Sequence, residues 1–372
     1  FRDRVPAYAN GWYQVDRVPE EFAERAQAVV ARGYQAMKFD PFGTAFERIT
    51  REEIDLSVAI VAAVREAVGP DFILGMRVTG DELTQGGLEA DECIKIAQRI
   101  AATGAVDFLN ILAGAPYDDL GLAGWVAPMG MPAAPHLNIA GDIRNAVDIP
   151  IFHAGGVADV ATARYAVAEG HVDLIGMARA HMADPHLVNK LISGNEERIR
   201  PCVGLGYCVD RVNQGKAAVC GHNAATGREA TMAHIIKQAP NKRKVVVVGG
   251  GPGGLEAARI SAERGHDVIL FEASDRLGGQ LNLAAKGMTR RQIWGVADWL
   301  INEVTLLAVD LRLNNYAEAD DVTAENPDVV IIATGGWPGP LDIPGQDLTP
   351  SSWDVLGGDK RVTGEILLFD EV

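Results

Sequence analysis

Short apolar runs and longer amphipathic stretches alternate along the chain up to about residue 195. Six of the apolar runs have the length of a β-strand and few internal charges. We predict strands at Val5–Ala9, Ala36–Phe39, Phe72–Val78, Val106–Leu112, Ile149–His153 and Val172–Met177. Runs of this kind are typical of strands in a parallel sheet, which is buried on both faces.

The stretches between these runs have the spacing of amphipathic helices. We predict helices near residues 20–32, 51–67, 90–103, 138–147 and 159–169. Glycine follows two of them, at Gly33 and Gly104, where helices commonly end. Strands alternating with such helices indicate βαβ units, and short connections favour a (β/α) TIM-type barrel. Because a closed barrel of this type has eight units, the six counted here predict an incomplete or rearranged barrel.

A different pattern follows. Residues 196–240 hold three cysteines, several glycines and few apolar runs, which is typical of a connector. Beyond it we predict strands at 244–248, 267–271, 328–332 and 365–369 and a helix at 253–264. The predicted fold class is therefore α/β, an incomplete barrel followed by a Rossmann-like FAD/NAD(P)-binding domain. The predicted segments are 1–70, 71–195, 196–240 and 241–372, the last truncated at its C-terminus.

Composition narrows the function classes. The 372 residues include 48% hydrophobic residues, as in an ordinary globular protein, and carry a net charge of −16. This charge would repel phosphates, so we expect no nucleic-acid partner. Without a run of 18 apolar residues, we expect no membrane partner and a cytoplasmic location. The first four residues look like neither a signal peptide nor an initiator sequence, and we interpret them as the middle of a longer chain.

A glycine-rich turn joins the strand predicted at 244–248 to its helix. It carries G-x-G-x-x-G at Gly249, Gly251 and Gly254, with an additional glycine at Gly253. These glycines permit a tight turn, close approach of a pyrophosphate and close packing of the helix, whose N-terminal N–H groups attract phosphate. Glu272 ends the next strand, where its carboxylate can accept from ribose hydroxyls. The context predicts an adenine-dinucleotide site, the alternative being a glycine-rich turn without a ligand.

Three of the four cysteines, Cys202, Cys208 and Cys220, lie close together in the predicted connector. Clustering of this kind without a secretory signal suggests a metal or redox site rather than disulfides. The fourth, Cys93, lies in a helical pattern and is expected to be a small core residue.

Two more glycine clusters extend the dinucleotide motif. R-L-G-G-Q follows the acidic strand, and A-T-G-G follows a later one. The set resembles flavoproteins that have two dinucleotide-binding domains. The resemblance implies that Gly279, Gln280, Thr334 and Gly335 approach FAD or ADP. NAD(P) would use a second, inserted domain, whose first strand would be the run at 365–369.

Residues 72–240 carry G-M-R-V-T-G-D-E, H-A-G-G, G-M-A-R-A-H-M-A-D-P and I-R-P-C in that order. Together with the Rossmann-like region they resemble the NADH:flavin oxidoreductases of the Old Yellow Enzyme class. The similar branch is the multidomain one, with 2,4-dienoyl-CoA reductase, trimethylamine dehydrogenase and N-methyl amine demethylases. The resemblance implies FMN at the carboxyl ends of the barrel strands, with Arg77 near the flavin N1–C2 edge. The implied phosphate-binding residues are Gly155, Gly156, Gly176, Ala178 and Arg179.

The cysteine cluster departs from this family's iron–sulfur pattern. Members with a cluster carry C-x2-C-x2-C and then a distant fourth cysteine, whereas Leu205 stands here at the second ligand position. Because a four-iron cluster needs four thiolates, we expect Cys202, Cys208 and Cys220 to be degenerate ligands, which makes a bound cluster doubtful. A zinc site with His222 as the fourth ligand stays open.

The first 70 residues carry another resemblance. A-Y-A-N-G-W-Y and G-Y-Q-A-M-K-F-D-P-F-G are similar to the enolase superfamily, in its mandelate racemase and sugar-acid dehydratase branch. Lys38 would correspond to the lysine region at the end of the second strand. The acidic metal ligands that this family needs on the next strands are absent. We therefore interpret the chain as chimeric, whether by natural fusion, by design or by an assembly artefact.

These patterns predict an FMN- and FAD-dependent oxidoreductase. In intact relatives, hydride passes from a methylated amine or to an enoate-type substrate. The implied partners are a small-molecule substrate and an electron-transfer partner. The catalytic residues and the activity of this chain stay unassigned. The alternatives are a non-catalytic adenine-dinucleotide-binding fragment and, disfavoured by the absent metal ligands, an enolase-superfamily dehydratase.

Overall fold

A computed structural model describes residues 9–42, 50–115, 119–339 and 344–369. The chain divides into two compact units along its length. The first unit comprises residues up to 127 and 132–178, and the second comprises 128–131 and 179–372. The division into four segments made from the sequence stays a prediction.

The first unit contains a parallel sheet in which sequential strands are neighbours, in the order β1-β2-β3-β4. Its strands are β1 (Gly75–Thr79), β2 (Phe108–Leu112), β3 (Ile151–His153) and β4 (Leu174–Ile175). Its helices are α1 (Pro19–Ala31), α2 (Arg51–Val68), α3 (Ala90–Ala102), α4 (Asp119–Trp125), α5 (Leu137–Ala146) and α6 (Val160–Ala168). Parallel neighbours joined through helices are βαβ units, as the alternating pattern predicts.

Local sequence explains where these elements begin. Thr50 and Glu53 form a capping box at the start of α2, each side chain bonding to the other's backbone N–H. Phe22 of α1 and Ile60 of α2 are buried with Leu109 and Ile151 of the sheet in one core cluster. The described sheet is therefore covered by the apolar faces of amphipathic helices.

The six strands predicted for this region are only partly observed. The last four are confirmed as β1–β4, each shorter than its apolar run. Ala36–Phe39 is not a strand, because it contributes only an isolated parallel bridge between Met37 and Ala9. Most of the predicted strand Val5–Ala9 lies outside the described residues. The described part of the barrel is thus a four-stranded sheet with β1 and β4 at its edges, which fits an incomplete barrel.

The second unit is built on another parallel sheet, in the order β7-β6-β5-β8. Its strands are β5 (Lys244–Val248), β6 (Asp267–Phe271), β7 (Asp310–Arg312) and β8 (Val329–Ile332). Its longer helices are α10 (Pro252–Glu263) and α12 (Trp294–Leu306). The shorter helices are α7 (Ala178–Ala183), α8 (Leu187–Ile192), α9 (Tyr207–Asn213), α11 (Leu281–Ala284), α13 (Ala319–Ala324) and α14 (Ser352–Gly357), with single 3-10 turns at Glu196–Arg198, Arg291–Ile293 and Gln346–Leu348.

Both faces of this sheet are covered, as expected for parallel strands. Val245 and Val247 pack with α10 and α12 on one face, and Val246 packs with Val322 of α13 on the other. Val203 belongs to the same core cluster as Val245. The cysteine-containing segment is therefore an integral part of this unit.

The predicted strand Glu365–Phe369 is wrong, since these residues form no strand. Leu367 is 97% exposed, and none of the described strands pairs with the run. An apolar run becomes a strand only where a partner satisfies its backbone N–H and C=O groups.

Among the described residues, no helix is long and apolar enough to span a bilayer.

Candidate dinucleotide and flavin sites

The glycine-rich turn after β5 is shaped by backbone contacts. Gly249 has φ +109°, a conformation that favours glycine, and a Cβ there would overlap the Ala333 carbonyl oxygen. A Cβ on Gly254 would overlap the Gly249 carbonyl oxygen. Gly251 is the N-cap of α10, and Pro252 occupies its first turn. The turn therefore presents the N-terminus of a 12-residue helix directly after the strand.

Glu272 lies beside this turn at the carboxyl end of β6. Its Oε2 accepts a hydrogen bond from the Gly250 N–H at 2.7 Å, and its Oε1 accepts one from the Ser274 N–H at 2.8 Å. Two backbone donors therefore fix the carboxylate. Each oxygen keeps a lone pair that can accept from a ribose hydroxyl.

The other two glycine clusters meet the same turn. The Gly278 N–H donates to the Gly250 carbonyl at 2.9 Å. A Cβ on Gly279 would lie 2.8 Å from the Gly251 Cα, so this position is shaped for glycine. Gln280 Nε2 donates to the Gly336 carbonyl at 2.9 Å, beside Gly335. The clusters predicted from the sequence are thus brought together.

Gly253 differs from its neighbours. A Cβ at this position meets no atom within 4 Å, so packing does not require glycine there. The open space lies at the first turn of α10, where a pyrophosphate would need access to backbone N–H groups. Thr334 lies close to the glycine turn. Its Cα would be 3.1 Å from a Cβ placed on Gly249. These residues fit an adenine dinucleotide.

The predicted FMN loops in the first unit contain tightly packed glycines. A Cβ on Gly155 would lie 3.0 Å from Nε2 of His153, which is fully buried. A Cβ on Gly156 would lie 2.8 Å from Pro135 Cδ, and one on Gly176 would lie 2.7 Å from the Ala154 Cβ. Internal packing therefore already accounts for these glycines, and their contact with FMN phosphate stays a prediction.

The remaining predicted FMN residues lie in the middle of a strand and at the start of a helix, and Arg77 does not end its strand. Arg77 of β1 is exposed and pairs in register with Asn110 of β2. Ala178 and Arg179 begin α7 directly after β4 and Gly176. Their roles toward FMN also stay predictions.

Cys202, Cys208 and Cys220 line one small cavity together with Leu205 and His222. Burial raises the pKa of the Cys202 thiol. Burial lowers the pKa of His222 to about 4. Within the described ranges, no three His, Cys, Asp or Glu side chains are arranged to hold a metal ion. Because Leu205 supplies no thiolate, the cysteines of this cavity offer three of the four thiolates that a four-iron cluster needs.

Comparison with known proteins agrees with both parts of the chain. Residues 39–198 match the NADH:flavin oxidoreductase / NADH oxidase family, and residues 244–306 match the FAD dependent oxidoreductase family. These families correspond to FMN for the barrel region and FAD for the dinucleotide region. The fold and its glycine loops are thus those of a flavoprotein.

Individual relatives cover nearly the whole chain. A probable N-methylproline demethylase of Rhizobium meliloti (strain 1021) is 44% identical over 375 residues, 96% of this chain and 55% of that protein. A multifunctional alkene reductase/demethylase of Caballeronia cordobensis is 41% identical over 322 residues, 86% of this chain and 46% of that protein. A 2-naphthoyl-CoA reductase, solved with 2-naphthoyl-CoA, superposes with a TM-score of 0.81 at 28% identity, covering 93% of this chain and 55% of that one. The chain spans about half the length of the curated relatives it matches.

The chain belongs to the NADH:flavin oxidoreductase family of Old Yellow Enzyme-like proteins. The enolase resemblance of residues 1–70 finds no support, because the flavin-family match begins at residue 39. The alignment with the demethylase also covers 96% of the chain, so the chimeric interpretation loses its basis. Amphipathic helices such as α2 occur in both kinds of (β/α) barrel, which explains why the pattern suited either family.

Two features of the dinucleotide site could not be assigned from the motif alone. Gly250 holds Glu272 through its N–H, and Gly278 holds Gly250 through its own N–H. Both glycines belong to glycine clusters seen in the sequence. Their partners, Glu272 for Gly250 and Gly250 for Gly278, are distant from them along the chain. Only the fold brings these groups into contact.

Proposed function

We propose that this chain is the flavin-binding core of an oxidoreductase that oxidises methylated amines or reduces enoate-type substrates. The observation that carries this proposal is the meeting of three glycine clusters at the N-terminus of α10, beside the fixed carboxylate of Glu272. The names of the relatives, a probable N-methylproline demethylase and an alkene reductase/demethylase, support the two substrate classes.

FAD or ADP would lie across the dinucleotide site. Gly251 and Gly253 would admit the pyrophosphate to the first turn of α10, and Glu272 would accept from the ribose hydroxyls. Gln280 and Thr334 would line the same ligand. The glycine cradle and the doubly held carboxylate support this assignment.

FMN would bind at the carboxyl ends of the barrel strands, where (β/α) barrels bind ligands. Arg77 would stabilise negative charge on the reduced ring, and Arg179 would add charge-assisted hydrogen bonds to the phosphate. Bound flavin supplies the hydride acceptor or donor, which no side chain can supply. We also propose an electron-transfer partner, NAD(P) as a further nucleotide and a cytoplasmic location.

The test begins with the purified chain. We expect flavin absorbance that survives gel filtration and is bleached anaerobically by N-methylproline or sarcosine, or by NADH and restored by an enoate. An Arg77→Met variant should retain the dinucleotide and lose FMN. Absence of any flavin-dependent redox change, in protein saturated with added FMN and FAD, would refute the proposal.

A second candidate is an adenine-dinucleotide-binding module without catalysis. It is favoured by the four-stranded sheet of the first unit, because a full (β/α) barrel surrounds its ligand with loops from eight strands. Calorimetric binding of ADP or FAD without amine- or NADH-dependent bleaching would distinguish this candidate from the first.

A further inference from the structure

The second unit contains a second cavity, of about 490 Å³, away from the glycine clusters. It is lined by residues of segments 183–200 and 223–236 together with α10 and α12. This volume lies in the range of pockets that hold small organic ligands. The cavity lining includes the polar side chains of His186, Arg200, Glu256, Arg259 and Trp299.

One wall of this cavity is fixed by Asp184, which is 4% exposed. Its Oδ1 accepts from the His186 backbone N–H at 3.0 Å, and its Oδ2 accepts from the Arg200 backbone N–H at 2.9 Å. Lys190 Nζ donates to the same Oδ2 at 2.6 Å. Asp184 therefore holds the backbones of His186 and Arg200 on either side of one carboxylate.

Two further carboxylates of the cavity, buried Glu303 and partly exposed Glu256, already pair with arginines. Glu303 accepts two hydrogen bonds from the Arg198 guanidinium, at 2.9 and 2.7 Å. Glu256 accepts two from the Arg259 guanidinium, at 2.7 and 2.9 Å. These bidentate pairs use the strongest geometry available to arginine. Each of these oxygens keeps a lone pair, but Glu256 lies 3.9 Å from the Arg200 guanidinium, beyond hydrogen-bond distance.

Arg200 contributes a further guanidinium to the wall of this cavity. Its carbon lies 4.3 Å from the centroid of the Trp299 ring, and the Glu256 carboxylate is 3.9 Å away. The Arg200 Nε is buried and makes no hydrogen bond within the described residues. A guanidinium has five N–H donors, and buried donors without acceptors are costly. Burial also lowers the pKa of Arg200, against the opposing effect of Glu256.

His186 adds a second unsatisfied group. Its Nε2 is buried and lacks a partner among the described residues. Polar atoms of this kind are rare in folded proteins and call for a ligand or an ordered water. Arg200 Nε can only donate, and His186 Nε2 donates in one of its two tautomers, so one hydrogen-bond acceptor could satisfy both atoms.

We propose that this cavity binds a small oxyanion, a carboxylate or a phosphate, through the stacked guanidinium of Arg200 with His186 as the second contact. Arginine recognises both kinds of oxyanion through paired N–H donors. Trp299 holds the guanidinium plane by stacking on it, so the donor geometry is set before the ligand arrives. This site is separate from the dinucleotide site and does not depend on the proposed redox activity.

The test uses the full chain and two probes, inorganic phosphate and succinate, measured by calorimetry and tryptophan fluorescence. We expect saturable binding of at least one probe, with a Kd below about 10 mM. The affinity should fall at least roughly tenfold in Arg200→Gln, a change comparable to the loss of one charged hydrogen bond. Lys242→Gln is the matched control, because Lys242 pairs with Asp267 on the surface, where its side chain is 63% exposed.

Competition with ADP separates this site from the glycine clusters. The proposal requires that saturating ADP leaves probe binding unchanged and that Arg200→Gln leaves ADP affinity unchanged. If Arg200→Gln fails to fold, as judged by far-UV circular dichroism, His186→Gln should weaken the probe several-fold instead. Displacement by ADP, equal affinities in the Arg200 and Lys242 variants, or no saturable binding to the wild type would overturn the proposal.

Discussion

Gly254 packs directly against the carbonyl of Gly249, so closely that a Cβ on Gly254 would overlap that oxygen. The first residues of α10 and the end of β5 are therefore held together by a contact that only glycine permits. This contact sets the distance between the helix N-terminus and the turn that would receive a pyrophosphate.

Replacing Gly254 by alanine should damage both stability and binding. The added methyl forces α10 away from the turn, and overpacking of this kind costs about 1–3 kcal/mol. We expect a lower melting temperature and an ADP affinity reduced at least roughly tenfold. Thermal unfolding and calorimetry measure the two effects.

Gly253→Ala is the matched control for stability, because a Cβ there meets no atom within 4 Å. Alanine is also the better helix former by about 1 kcal/mol. Its melting temperature should equal or exceed that of the wild type. A Gly253→Ala variant as unstable as Gly254→Ala would contradict the packing explanation.

Glu272→Gln tests the ribose contact. Glutamine can still accept from the Gly250 N–H, but it loses the charge that strengthens hydrogen bonds to ribose hydroxyls. We expect the Kd for ADP and FAD to rise by roughly tenfold to a hundredfold, as for one charged hydrogen bond. Asp267→Asn, at the opposite end of β6, should leave the Kd unchanged. Equal affinities in the wild type and Glu272→Gln would exclude Glu272 from nucleotide recognition.

The residues of the cysteine cavity lead to a prediction of how much iron the protein contains. With Leu205 in place of a thiolate, we expect protein prepared anaerobically to contain far fewer than the four irons and four sulfides of a complete cluster. Iron and acid-labile sulfide analyses measure this directly. Four of each per chain, together with the visible absorbance of a cluster, would show that another ligand replaces the missing cysteine.

The parts of the fold that local sequence determines could be predicted. The Lys244–Val248 strand, its glycine turn and Glu272 follow one another within a single βαβ unit, so their relationship is encoded by short-range order. The helix predicted near 51–67 from its amphipathic spacing is observed at Arg51–Val68, and the structure adds a Thr50–Glu53 capping box at its start. Each of these signals acts over a few residues.

Long-range contacts could not be predicted in the same way. Arg198 pairs with Glu303 across 105 residues, and nothing in either local sequence marks the partner. The apolar run at 365–369 was misassigned for a related reason, since strand formation depends on a neighbouring strand. The stacking of Arg200 on Trp299 likewise appears only when α12 packs beside the cysteine segment.

His222 predicts how stability depends on pH. Its side chain lies against Trp299, with ring centroids 5.2 Å apart, and its Nδ1 is 3.0 Å from the Pro201 carbonyl oxygen. Burial is the main cause that lowers its pKa from 6.5 to about 4, with smaller contributions from the Arg200 and Arg259 guanidinium groups, against the opposing effects of the Pro201 carbonyl and Glu256. In the unfolded chain the same imidazole titrates at its ordinary pKa.

The direction in which the free energy of unfolding changes with pH follows from proton binding at His222. Between pH 6.5 and about 4 the unfolded chain binds a proton at His222 that the folded chain does not, so the free energy of unfolding falls as the pH is lowered. From pH 7 to pH 5 this should remove about 2 kcal/mol. His222→Gln should lose less stability over that interval, and His181→Gln, at an exposed position, should behave like the wild type. Urea denaturation at the two pH values measures the losses, and identical losses in all three proteins would show that His222 stays protonatable in the folded state.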